Sequence, residues 1–213
     1  MESKQKLVIF DFDGVLVNTL DMALAINKEI RPTMTKEEYL RKHEGDVLSA
    51  FDTLRDAIHT GIDFFTEYHK RLRHHDVIPE LAEIVRDLAK RYVLVIISSM
   101  PTQTIREYLT QQRLAVYFDD VLGKDVAPSK TTKLAMVCAQ RGLAPAQCAF
   151  ITDTLGDLRA AAEAGVPSIA VTWGGITPRK HWRAVTPRHW CIHPTDCETL
   201  LFLLLKRNSL RTM

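Results

Sequence analysis

Apolar positions along this chain follow two periods. Residues 7–10, 92–97, 149–152 and 168–172 are short runs of mostly apolar side chains, and 118–122 is a shorter, more polar one. Such runs predict strands buried on both faces of a parallel sheet. Between them, apolar residues recur at helical spacing. In 18–30 they fall at Leu20, Leu24, Ile26 and Ile30, and Pro32 ends the stretch. Segments 35–43, 46–59 and 62–73 predict three further helices, the first opened by Thr35 with Glu38 three residues on. Helices over 79–90, 102–112, 131–141 and 158–164 alternate with the later strands. Pro101 suits a first turn, Ser129 a cap, and Gly142 and Gly165 helix stops. An apolar helix over 195–205 closes the chain.

Strand followed by helix, repeated, predicts an α/β protein with a doubly wound parallel sheet. The block 18–76 contains helices only and interrupts the alternation after the first strand. It is therefore expected as a small α-helical cap domain inserted at the carboxyl edge of the sheet, over a core of 1–17 and 77–213. The chain shows no internal repeat and no linker-like tract.

Composition narrows the function classes. With 213 residues, 46% of them hydrophobic, the chain can bury a substantial core. Lys plus Arg number 28 against 26 Asp plus Glu, a net charge of +2, which points to neither nucleic acid nor an anionic membrane as partner. Cys138, Cys148, Cys191 and Cys197 form no CxxC pair, which suits free thiols in a reducing compartment. No apolar run is long enough to span a bilayer, and MESKQK leads straight into the first strand without a signal-peptide apolar region. The expectation is a cytoplasmic protein; monomer and homodimer both stay open.

The chemistry-bearing residues lie at strand ends. The run at 7–10 leads directly into Asp11 and Asp13, then Gly14, whose backbone can approach a ligand closely. Carboxylates at the rim of an apolar core must be hydrogen-bonded, paired or metal-bound, or else protonate. The second long strand runs into Ser98 and Ser99, a later loop carries Lys130, and the strand at 149–152 is followed by Asp153 and Asp157. Each has an ordinary structural role open to it: the aspartates as turn or helix caps, the serines as caps, Lys130 as a solvated lysine. In a parallel sheet, however, these strand ends share one edge, where ligands bind.

That ordered set resembles the haloacid dehalogenase superfamily, in its phosphoglycolate-phosphatase-like branch with a helical cap. DFDGVL at 11–16 matches the first motif, Ser98 the second, Lys130 the third, and Asp153 with Asp157 the fourth; Trp173 and Gly174 also look like that branch. Thr152 stands where the family commonly has Gly, and Asn18 where it commonly has Asp. The resemblance implies a Mg²⁺-dependent phosphatase acting on a small phosphorylated metabolite. Asp11 would be the nucleophile, forming an aspartyl-phosphate, and Asp13 the acid and base. Ser98, Ser99, Gly14 and Lys130 would hold the phosphate. Asp11, Asp153 and the Asp13 carbonyl would bind Mg²⁺, with Asp157 directly or through water. A cap loop at 43–46 makes Arg41, His43, Glu44 and Gly45 candidates for contact with the rest of the substrate. The acid at Asp13 favours a phosphate ester over a halide. A phosphotransferase or sugar-phosphate mutase is the alternative enzyme, and a non-catalytic protein on the same fold is the reading from another class.

Overall fold

A computed structural model describes residues 6–45, 61–177, 189–191, 193, 194 and 196. Six strands form one parallel sheet: β1 (Leu7–Phe10), β2 (Val93–Ile97), β3 (Asp120–Leu122), β4 (Cys148–Thr152), β5 (Ser168–Val171) and β6 (His189–Cys191). Their order is β3-β2-β1-β4-β5-β6, with β1 paired to β2 and β4, so the first strand lies in the middle. Successive side chains of a strand point to opposite faces. Val8, Phe10, Leu94, Ile96, Ile151 and Ile169 accordingly join one apolar cluster, while Leu7, Ile9, Val95 and Phe150 join another behind the sheet.

Helices cover both faces. Helices α1 (Leu20–Ile30), α2 (Lys36–Lys42) and α3 (Phe64–Leu72) lie between β1 and β2 in sequence, with α3 packed on α1. Helices α4 (Pro79–Ala89) and α5 (Thr102–Gln111) add Leu81, Val85, Leu88, Ile105 and Leu109 to the first cluster. Helix α6 (Lys130–Gln140) adds Leu134 and Val137 to the second, and α7 (Leu155–Glu163) adds Ala161. The doubly wound sheet with inserted helices is the expected architecture.

Boundaries differ from those expected at two helix starts. Helix α7 begins at Leu155, three residues before the expected start, because the Thr154 side chain accepts from the Asp157 N–H and closes the first turn. Asp157 thus lies inside the helix and does not cap it. Pro101 is the N-cap of α5, one position before the first turn, and neither Ser98 nor Ser99 caps that helix. Thr35 caps α2, its side chain accepting from the Glu38 N–H, and the Glu38 carboxylate accepts in return from the Thr35 backbone while pairing with Arg31. Strand β6 has no counterpart among the expected strands: it is only three residues long. The helix expected over 46–59 lies outside the described residues, as does that over 195–205 apart from Asp196. Cys138 and Cys148 are free and buried, sulfur to sulfur 3.2 Å.

Phe10 tests the core at the centre of the sheet. It is fully buried, and its ring meets Phe118 edge to face at 6.0 Å. Phe10→Ala should cost about 3–5 kcal/mol, read as a lowered urea midpoint with an unchanged slope. A loss below about 1 kcal/mol would mean that the site had collapsed around the cavity.

Candidate active site

The backbone turns sharply at the end of β1. Asp11 continues the sheet, its N–H donating to the Ile151 carbonyl at 2.9 Å. Asp11 is 3% exposed, with Oδ1 accepting from the Phe12 N–H at 2.8 Å. Asp13, partly buried, has Oδ1 turned to two hydroxyls, Thr19 at 2.6 Å and Tyr68 of α3. Burial raises both carboxyls above the ordinary carboxylate range; Lys130 opposes this at Asp11, and the two hydroxyls oppose it at Asp13.

Lys130, the first residue of α6, brings the compensating charge. Its Nζ lies 2.8 Å from Asp11 Oδ2 and 2.6 Å from Asp157 Oδ2. Burial would depress this ammonium, but Asp11 and Asp157 outweigh that and raise its pKa. Burial likewise opposes ionisation of Asp157, yet Lys130 and surrounding hydrogen bonds keep its pKa low. One of those bonds comes from Thr152, whose hydroxyl donates to Asp157 Oδ2 at 2.7 Å. The Thr found where the family commonly has Gly thus holds an acidic neighbour.

Asp153 is different. It is 1% exposed, and neither carboxylate oxygen has a hydrogen-bond partner. Burial, then the charge of Asp157, push its pKa well above the usual value. A Cβ on Gly14 would stand 2.0 Å from Asp153 Oδ2, and one on Gly174 would stand 2.3 Å from the same oxygen. Gly14 also has φ +70, so a larger side chain there would be strained as well as crowded. The indole of Trp173 donates to the Val15 carbonyl at 3.1 Å and ties the β5 loop to the turn after Asp13.

These residues fit a hard divalent cation. Three buried carboxylates, Asp11, Asp153 and Asp157, face one ammonium, and the Asp153 oxygens are unpaired in an oxygen-rich setting that suits Mg²⁺. Asp11 and Asp157 point at Lys130, and among the described residues no three acidic groups are gathered around a common point.

Ser98 and Ser99 divide their positions. Ser98 is fully buried, and its hydroxyl accepts from the Met100 N–H at 3.1 Å. Ser99 lines the cavity beside Asp11, Asp13, Lys130 and Asp157. Lys133, one turn after Lys130, is buried and donates to the carbonyls of Ser98 at 2.7 Å and Gly123 at 3.0 Å, joining the ends of β2 and β3. Burial, aided by the charge of Lys130, lowers its pKa to about 8.

The inserted segment supplies the opposite wall, from Tyr39, His43, Phe64 and Tyr68. The His43 carbonyl accepts from the Gly156 N–H at 3.1 Å, and the Glu44 carbonyl from the Arg159 guanidinium, so this loop rests on the first turns of α7. Gly45 lines an adjoining groove. Arg41 is exposed and lines neither space. Thr19, Tyr39 and Tyr68 read in the sequence as ordinary members of helices; Lys133 reads as the less favoured third-motif lysine because it falls inside the helix, although Lys130 opens that same helix rather than preceding it.

Aspartates that follow β1 and β4 thus meet, at one edge of the sheet, a lysine that opens α6. The family of haloacid dehalogenase-like hydrolases matches residues 8–171, and the chain belongs to that family. The chain is 28% identical over 191 residues to a phosphoglycolate phosphatase of Pseudomonas syringae pv. tomato, covering 79% of this chain and 70% of that one. A phosphoglycolate phosphatase of Vibrio parahaemolyticus is 26% identical over 79% of this chain and 84% of its own. Among solved structures, a haloacid dehalogenase-like hydrolase of Streptococcus pneumoniae superposes with a TM-score of 0.76 at 20% identity, covering 94% of this chain and all (100%) of that one.

His43 makes the burial of this wall measurable. Its Nδ1 lies 3.0 Å from the Tyr39 carbonyl and donates to it, and burial lowers its pKa from 6.5 to about 4. On acidification the unfolded chain therefore takes up the proton first, and His43 costs stability progressively from pH 6.5 down to about 4. Urea unfolding should show His43→Asn losing less stability than wild type across that window. Parallel pH curves would mean a solvated imidazole.

Proposed function

We propose that this hydrolase is a Mg²⁺-dependent phosphatase of small phosphate monoesters that works through an aspartyl-phosphate on Asp11. The observation that carries the reading is the pair at the end of β1: a carboxylate beside the Lys130 ammonium, and two residues later a carboxyl turned to hydroxyls. Relatives named phosphoglycolate phosphatase support the reaction class.

Asp11 attacks phosphorus and the ester oxygen departs in line. Asp13 gives that oxygen its proton and then takes one from the water that cleaves the acyl-phosphate. Lys130, together with Ser98, Ser99 and the amides after them, holds the phosphate oxygens, and Gly14 gives close access at the turn. Asp11, Asp153 and the Asp13 carbonyl would hold Mg²⁺, with Asp157 close by, and the ion would supply charge neutralisation between the Asp11 carboxylate and an anionic phosphate. Residues 18–76 act as the cap on a core of 1–17 and 77–213. His43 and Gly45 are its best placed candidates for touching the substrate; Arg41 and Glu44 are the others. A soluble metabolite as substrate goes with residence in the cytoplasm.

Purified protein should release phosphate from 4-nitrophenyl phosphate with Mg²⁺ and lose that activity on chelation. Asp11→Asn should lower kcat by about 10³-fold or more. Asp13→Asn should lower kcat by about 10²-fold or more while KM changes little. A broad panel of phosphorylated metabolites with no turnover in Mg²⁺, or an Asp11→Asn protein at wild-type rate, would overturn the reading.

A further inference from the structure

The Asp13 carboxyl has two oxygens, and the fold treats them unequally. Oδ1 accepts from the Thr19 hydroxyl at 2.6 Å and from the phenol of Tyr68, which lies 55 residues further along the chain. Thr19 belongs to the segment leaving the core. Tyr68 belongs to α3, so the second donor arrives from the inserted helices. A neutral carboxyl has one O–H donor and one acceptor oxygen. An oxygen that already accepts two O–H groups has its lone pairs engaged, and a third hydrogen there would stand against the other two. The proton is left to Oδ2.

Resting on the reading of Asp13 as proton carrier, we propose that Tyr68 is a positioning residue for the reaction. With Thr19 it fixes Oδ1 as the acceptor oxygen and leaves Oδ2 to deliver the proton, an arrangement complete only when α3 is seated. The step balances. The phosphorus–oxygen ester bond breaks, its electron pair stays on the leaving oxygen, and the Oδ2 proton moves there. Asp13 is left as a carboxylate with Oδ1 held by two hydroxyls. When water attacks the phosphoryl group on Asp11, its proton returns to Oδ2.

The setting of Tyr68 is what such a role requires. The side chain is 1% exposed, and its ring lies 5.8 Å from that of Phe64 in the same helix. At the other end of α3, Arg71 grips Glu29 of α1 through two bonds of 2.8 and 2.6 Å. With the helix so placed, Phe64 and Tyr68 line the cavity beside Asp13.

Leaving-group dependence separates positioning from packing. Benzyl phosphate and 4-nitrophenyl phosphate are similar in size, but nitrophenolate departs without a proton and benzyl alkoxide does not. The quantity to compare is kcat/KM, which reports the barrier through departure of the alcohol. Tyr68→Phe should lower it by about tenfold or more for benzyl phosphate and by less than about threefold for 4-nitrophenyl phosphate. Thr19→Val should move the ratio in the same direction, and it carries the test if Tyr68→Phe does not fold. Equal losses on both esters, or an unchanged ratio in the folded variants, would overturn the proposal. Wild-type turnover with no change in ratio defeats this proposal alone, whereas no wild-type turnover defeats the phosphatase reading and this proposal with it.

Discussion

The Lys130 ammonium between Asp11 and Asp157 is the interaction on which the rest of the carboxyl edge depends. Removing one charge from a buried pair leaves its partner uncompensated, at a cost of several kcal/mol. Here one cation serves two carboxylates, one directly after β1 and one in the first turn of α7. The alternating α/β chain makes that meeting possible: β1 and β4 are neighbours, and α6 begins beside both. The apolar strands supply dryness, and dryness is what makes the charges strong.

That balance leaves Asp153 over. Its unpaired oxygens, with Gly14 and Gly174 cut back to hydrogen around them, are where the edge is short of positive charge. The same dry setting acts on Asp13, whose Oδ1 is held by two hydroxyls. Two carboxyls separated by one residue thus have unlike partners, an ammonium beside Asp11 and hydroxyls on Asp13.

Much of this was legible in the sequence because parallel strands buried on both faces read as apolar runs, and the polar residues that follow them must share an edge. What escaped has physical reasons. Strand β6 is only three residues long, too short to stand out as a strand, and pairs with β5 at the edge of the sheet. The first turn of α7 was hidden because Thr154 reads equally well as loop or cap. Tyr68 fits the apolar stripe of α3, and nothing local tells a packing tyrosine from one whose hydroxyl meets a partner 55 residues away. Lys130 and Lys133 are three residues apart in one helix and meet different groups, carboxylates for the first and backbone carbonyls for the second. Spacing alone does not separate such roles.

The central claim is that Asp11 carries the phosphoryl group between two partners. Rapid mixing with a ³²P-labelled aryl phosphate and Mg²⁺, an acid quench within the first turnover, and peptide mapping of the denatured protein test it directly. The account predicts acid-stable, hydroxylamine-labile label on the peptide containing Asp11 and none in Asp11→Asn protein. Phosphate released in that first turnover with no label on the wild-type protein, or label on another residue, would contradict it.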